Sequence, residues 1–262
     1  FHYYLNISLN FILKIYLKKI IKKNEYDFWH FNYINYKSLI LINCLKELNQ
    51  KIIVTFQGAD IQIHENINYG ARLNKKYEKF LKTTIKNVDF FTSISKNISI
   101  DLNQLGIPNN KIFSFPNCVN QSKFDSIFSA DRVTGHLTFI TVGRFAEKKK
   151  GFDLIKDIVE ILNKKKIQFK WKIIGHGVSE ILRYKKIKDN LDKFNIIENI
   201  ENVDELYFPN RKLIKEYKSS DIYLNLSRVE SFGITFIESL SAEVPIISFD
   251  TKGANEIIIS DH

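Results

Sequence analysis

Methionine is absent from the 262-residue sequence, and cysteine is scarce, with only Cys44 and Cys118 present. Two thiols so far apart suggest neither a disulfide scaffold nor a zinc site, and they fit a reducing, cytoplasmic compartment. His30, His64 and His176 lack metal-ligand spacing, and no Asp-x-Asp pair is present to hold a divalent ion. No metal and no cofactor are therefore expected. Long apolar runs are missing too. The stretch SLILINCL falls far short of the ~20 residues that span a bilayer, and Asn43 interrupts it. No signal peptide is visible. With no methionine in the chain, the natural start is expected to precede Phe1.

Acidic residues are outnumbered, leaving a net charge of +10. Such an excess invites a nucleic-acid reading. Lysine, asparagine and isoleucine are enriched everywhere, however, and no nucleic-acid motif occurs, so no nucleic-acid partner is expected. One cluster differs in kind. In LKIYLKKIIKK (13–23), Leu13, Tyr16, Leu17, Ile20 and Ile21 form an apolar stripe, and Lys14, Lys18, Lys19, Lys22 and Lys23 largely cover the rest. This reads as a helix packed on a sheet with a wet basic face. The alternative is a surface in peripheral contact with an anionic membrane.

Strands alternate with helical stretches throughout, which argues for an α/β fold with parallel sheets. The length allows two modest domains. The polar, irregular segment near 119–136 marks the break between them, giving domains 1–125 and 126–262.

The most informative stretch is ESFGITFIE (230–238), which sets Glu230 and Glu238 on either side of a Phe-Gly turn. Ile234, Ile237, Leu240 and Ser241 share one helical face, and Pro245 closes the run. Backbone amides around Ser231, Phe232, Gly233 and Ile234 are then first-turn donors, a ready anion site. Gly233 admits a phosphate without a Cβ in the way. Glu238 falls roughly 7 Å along the helix axis from its start. A sugar diphosphonucleoside fits: diphosphate on the helix start, one carboxylate for sugar hydroxyls and another for ribose. Upstream, LTFITVGRFAEKKKG (137–151) reads as a buried strand, Leu137–Val142, ending at Gly143 and Arg144. A basic run, Gly151 and a helix follow, with Phe152, Ile155, Ile158, Val159 and Leu162 at helical spacing. Open α/β sheets bind ligands at the carboxyl ends of their strands. There Arg144 offers a planar fork and a lysine offers a movable point charge for phosphate oxygens.

Together, GRFAEKKKGFDLI, SSDIYLNLSRVESFGITFIESLSAEVPII and GANEII resemble the retaining glycosyltransferases of family 4, the glycosyl transferases group 1. The resemblance implies a GT-B fold, two Rossmann-like domains facing a cleft, with the donor held mainly by the second. It implies that Glu230 binds donor sugar hydroxyls, that Glu238 binds ribose, and that Arg144 with a loop lysine clamps the diphosphate. Lys150 is the first choice for that lysine and Lys149 the alternative. Gly175-His176-Gly177 matches a glycine turn beside the nucleotide. Elements are implied before residue 1 and after residue 262, so both ends look truncated. The partners implied are a nucleotide-sugar donor and a polysaccharide or lipid-linked acceptor, in bacterial cell-surface glycan (lipopolysaccharide-type) assembly, without the metal a GT-A enzyme uses.

The first half resembles the acceptor-binding domain. Strands are expected in 51–60, 89–95 and 112–120, with Gln57, Gly58, Asp60, Tyr69, Gly70, Ser95 and Asn117 on the cleft side. Family members often carry a histidine where this chain has Gln57, which hydrogen-bonds but does not titrate. Competing readings are a GT-B sugar-nucleotide epimerase and a GT-B-like scaffold that binds without turnover.

Overall fold

The computed structural model describes residues 2–128, 135–198 and 209–258. These fall into two compact units, Phe1–Pro116 and Asn117–His262. The division lies earlier than the expected boundary at 125/126. The cause is Phe124, which with Ile127 is buried in the second unit's core against Ile140, Leu213 and Tyr217. A few scattered apolar side chains in a polar stretch carry too little periodicity to reveal this.

The first unit holds a parallel sheet of β1 (Trp29–Asn32), β2 (Ile52–Phe56), β3 (Phe90–Ser93) and β4 (Ile112–Ser114), in that order. Helices Tyr36–Glu47, Lys75–Thr84 and Lys96–Gln104 connect them, started by Asn35, Asn74 and Ser95. Each of those side chains accepts a first-turn amide, which is why polar residues at these points open helices rather than prolong loops. Leu39, Ile42 and Leu45 from the first helix are buried, as are Ile52, Val54, Phe56 and Phe91 from the strands. The basic helix His2–Lys23 packs against Tyr36–Glu47. Leu17 is its buried anchor, whereas Tyr16, expected in the apolar stripe, is 62% exposed. Among the described residues no helix is long and apolar enough to cross a membrane.

The second unit holds β5 (Leu137–Val142), β6 (Phe169–Ile174), β7 (Phe194–Ile197), β8 (Ile222–Asn225) and β9 (Ile246–Ser248), all parallel, in the order β7-β6-β5-β8-β9. Successive residues alternate between two cores. Ile140, Ile174 and Tyr223 meet Tyr217 and Phe236 on one face. Phe139, Ile173 and Leu224 meet Phe152, Ile155 and Val159 on the other. A sheet buried on both faces explains why β5 is buried at every position after Leu137, whereas β6 places Lys170 in solvent at its start.

Candidate functional site

The strand order fixes where a site can form. From β5 the chain winds outward to β6 and β7, then returns to place β8 on the opposite side of β5. The winding reverses between β5 and β8, and crevices open at the carboxyl ends of strands at such a point. Gly143 and Arg144 follow β5 directly, and Glu230 lies in the loop after β8. Residues far apart in sequence are thereby brought together.

Lys150 ends the short helix Glu147–Lys150, and its aliphatic stem passes beside Gly143. Its ammonium pairs with Oε1 of Glu230, whose side chain is 7% exposed. Ser227 Oγ donates to the same oxygen at 2.8 Å, and Asn225 Oδ1 holds the Ser227 amide at 2.9 Å. Burial works against the charge on Glu230. The Lys150 ammonium, then Lys149 and the Ser227 hydroxyl, more than offset it and hold the carboxyl below its usual range. Lys149 responds differently. Burial, reinforced by the Lys150 and Arg144 charges and opposed by Glu230, lowers it to about 8. The two candidate lysines therefore differ: Lys150 makes the ion pair with Glu230, while Lys149 sits half-buried beside it. Arg144 is exposed, and its charge is felt at Lys149.

The helix Ile234–Ser241 starts at Gly233, whose φ is +82°. Glycine is needed here first for the backbone, since an added Cβ would also lie 2.5 Å from the Phe236 ring. The shared face of Ile234 and Leu240 is the outer one, with exposures of 42% and 49%. The buried residues are Phe236, Glu238 and Ser239. Behind the loop, Gly253 N donates to Glu230 O at 3.1 Å, and the backbone of Phe232 lies against Gly253. Ser231 and Phe232 are both buried.

Glu238 sits at the same helix, 2% exposed, and its Oε2 accepts a hydrogen bond from Tyr217 OH at 2.9 Å. Burial raises its pKa to about 7 despite that bond. The folded state thus favours the protonated acid. The resulting stability is complete below the ordinary value of 4.5 and is lost as pH rises through about 7. A shift of this size corresponds to on the order of 3 kcal/mol. Glu238→Gln in the full-length protein is expected to flatten the fall in melting temperature between pH 5 and pH 8. An unchanged slope would place the titration elsewhere.

The Gly175-His176-Gly177 turn follows β6 and lies against the loop after β5. Gly175 contacts the Gly143 carbonyl, and Phe145 N donates to His176 O at 2.7 Å. Its far side is fixed by Glu198, whose carboxylate accepts Gly177 N at 2.7 Å and Ser179 N at 2.8 Å. Sequence reasoning missed Glu198, Ser227 and Tyr217. The only signal for Ser227 is its position just beyond an apolar strand and ahead of Glu230.

In the first unit, Gln57 Nε2 donates to Asn32 Oδ1 at 2.5 Å, tying the ends of β2 and β1 together. Asp60, expected to face a cleft, is fully buried. One carboxylate oxygen accepts Gln57 N at 3.0 Å and Gly58 N at 2.9 Å, and the other accepts Ile34 N at 3.0 Å. Its role is to shape the loops after β1 and β2. Asp60→Asn keeps one acceptor but turns an amide donor toward Ile34 N, so a loss of about 1–3 kcal/mol is expected in chemical denaturation. Wild-type stability would show that the loop is held by other bonds. Ser95 is a helix cap, Tyr69 bridges to His64, and Gly70 packs on the Gln62 carbonyl. Asn117 falls in the second unit. Among the described residues, no group of three or more His, Cys, Asp or Glu is placed to hold a metal ion.

Comparisons with known proteins match this architecture. The amylovoran biosynthesis glycosyltransferase AmsD of Erwinia amylovora is 31% identical over 152 residues, covering 57% of this chain and 38% of AmsD. The N-acetyl-alpha-D-glucosaminyl L-malate synthase of Bacillus anthracis is 23% identical over 222 residues, covering 79% of this chain and 52% of that enzyme. The chain thus spans about half the length, or less, of these curated relatives. Among solved structures, sucrose-phosphate synthase from Thermosynechococcus elongatus superposes with a TM-score of 0.68 at 15% identity, over 92% of this chain and 60% of its own. HepE of Anabaena, in complex with UDP and glucose, gives 0.67 at 13% identity, over 93% and 64%. Both likenesses are of fold, and the fold is the GT-B type. The family model for glycosyltransferase family 4 matches residues 1–123, that for glycosyl transferases group 1 matches residues 122–262, and the chain belongs to this glycosyltransferase family.

Proposed function

We propose that the full-length protein is a retaining glycosyltransferase that moves a sugar from a nucleoside-diphosphate donor to a polysaccharide or glycolipid acceptor in cell-surface glycan assembly. The observation that carries this reading is the pairing of Lys150 with the buried Glu230 at the reversal between β5 and β8, beside the opening of helix Ile234–Ser241. HepE and the pneumococcal O-GlcNAc transferase GtfA, both similar in fold, were solved with UDP and a sugar, which supports the donor class. Curated relatives in amylovoran biosynthesis and in a Klebsiella pneumoniae cps region support the glycan setting.

In this reading the diphosphate lies by the first-turn amides, with Lys150 and Arg144 neutralising the charge that grows on it as the glycosidic bond breaks. Glu230 orients the sugar hydroxyls, and Glu238 the ribose. Substitution takes place on the front face through an oxocarbenium-like transition state, with no protein nucleophile, no metal and no cofactor. The protein's contribution is positioning and electrostatic stabilisation. The basic helix His2–Lys23, with Phe11 and Ile12 exposed, suits peripheral contact with anionic lipid carrying the acceptor.

The test is a thermal-shift screen of the full-length protein against a panel of sugar nucleotides, followed by a transfer assay with the donor that binds. Binding stabilises in proportion to the logarithm of ligand concentration over affinity. One donor should raise the melting temperature and be consumed only with acceptor present. Conversion of the donor's sugar to an epimer without acceptor, followed by NMR, would mean epimerisation, and binding without turnover would mean a non-catalytic scaffold.

A further inference from the structure

Arg228 lies two residues before Glu230 and plays no part in the reading above. Its backbone and side chain nonetheless hold the opposite wall of the site. Arg228 N donates to Lys149 O at 2.8 Å. Its Nη1 donates to Lys148 O at 2.7 Å and to Asp153 Oδ1 at 2.7 Å, and its Nη2 donates to Asp153 Oδ2 at 3.0 Å. Just between these bonds, Gly151 backs onto Leu226 in the loop that carries Arg228, so close that an added Cβ would lie 1.9 Å from Leu226 O. Segments 148–153 and 226–230 are therefore joined backbone to backbone, and Lys150 leaves the joint pointing at Glu230.

The charges match this role. The Asp153 side chain is 13% exposed and that of Arg228 31%. Burial works against the Asp153 charge, but Arg228 and then Lys148 hold its carboxyl below the usual range. The guanidinium is thus neutralised locally and adds little net field to the pocket. What it adds is geometry. A planar fork satisfies two carboxylate oxygens and a carbonyl at once, which a lysine ammonium on a flexible stem does not reproduce.

Taking this pocket as the donor site proposed above, we infer that Arg228 and Asp153 are positioning residues. Their clamp fixes the lysine loop on the glutamate loop, so that the Lys150 ammonium and the Glu230 carboxylate meet the donor in one fixed arrangement. The clamp acts through Lys148 O, Lys149 O and the backbone, not by touching substrate.

The experiment compares the full-length enzyme with its Arg228→Ala, Arg228→Lys and Asp153→Asn variants. Amide hydrogen exchange across 145–153 is followed by mass spectrometry. Donor KM and kcat are measured with whichever sugar nucleotide the wild type uses. Opening the clamp should speed exchange in that segment and lower kcat/KM for donor by about tenfold or more, since small misplacements of reacting groups are costly. Arg228→Lys should fail to restore either property. It also keeps charge and bulk if the alanine variant does not fold. The Arg228→Ala/Asp153→Asn pair should be no worse than either single change, as expected for partners in one contact. Wild-type exchange in all variants overturns the clamp. Faster exchange with unchanged donor kinetics makes it a stability feature only and also rejects the proposal. If the wild type uses no sugar nucleotide, the transferase reading falls and the positioning role falls with it, while exchange still reports whether the clamp exists.

Discussion

Glu230→Ala in the full-length enzyme is expected to lower sugar transfer by about a hundredfold or more at neutral pH. Three features give the residue this weight. Its carboxylate is 7% exposed and ionised by its contact with Lys150. Ser227 Oγ and Asn225 fix its direction from below. Its main chain is pinned by Gly253. A carboxylate held this firmly is already organised, so in the proposed role its hydrogen bonds to sugar hydroxyls would cost no reorganisation. Removing it also leaves the Lys150 ammonium without its partner in a pocket where Lys149 already lies close. Glu230→Gln is the sharper variant, since it preserves shape and the Ser227 bond while deleting the charge. Arg144→Ala should fall by about tenfold to a hundredfold through the diphosphate instead. Steady-state transfer with donor and acceptor varied separately measures both. Near-normal rates for Glu230→Ala and Arg144→Ala would reject the roles given to them.

The second large effect concerns a residue with no side chain. Gly151→Ala is expected to destabilise the protein by about 3 kcal/mol, the sum of a left-handed backbone penalty and an overpacking penalty. Gly151 has a φ of +68°, and its added Cβ would meet Leu226 O at 1.9 Å and Leu226 Cβ at 2.9 Å. Neither neighbour can move freely, because the first is main chain in the loop leading to Glu230. Gly106→Ala is the control. Its φ is +83°, yet nothing lies within 4 Å of the new Cβ, so only the backbone penalty of about 1 kcal/mol applies. Equilibrium denaturation of both variants separates the two costs. Equal losses would mean that the close approach at Gly151 relaxes without penalty.

How much of this was readable from residues varies by element. Strand β5 was legible from end to end, because it is a largely apolar run on a sheet buried on both faces and stops at a glycine. The helix after Gly233 was legible for its spacing, but not for its buried side. Ile234 and Leu240 share a face as well as Phe236 and Ser239 do, and only packing against Tyr217 and Tyr223 decides between them. The resemblance assigned Lys150 and Glu230 to one donor site, but neither their ion pair nor the burial of Glu238 against Tyr217 was legible, since nothing local marks a lysine in another loop or a tyrosine on another helix as a partner. Asp60 was expected on the cleft side of the first half. Its consumption by three amides depends on β1 and β2 lying side by side. Arg228 was hidden for a similar reason. Its partner lies in a different loop, and the two meet only because β8 returns beside β5.

The most direct measurement is a crystal structure of the full-length enzyme with the nucleoside diphosphate it binds best. The two phosphates are expected at the opening of helix Ile234–Ser241, within hydrogen-bond distance of Lys150 Nζ and the Arg144 guanidinium, with the ribose hydroxyls on Glu238. Phosphates bound anywhere else, with Lys150 and Glu230 still paired and untouched by ligand, would contradict that arrangement.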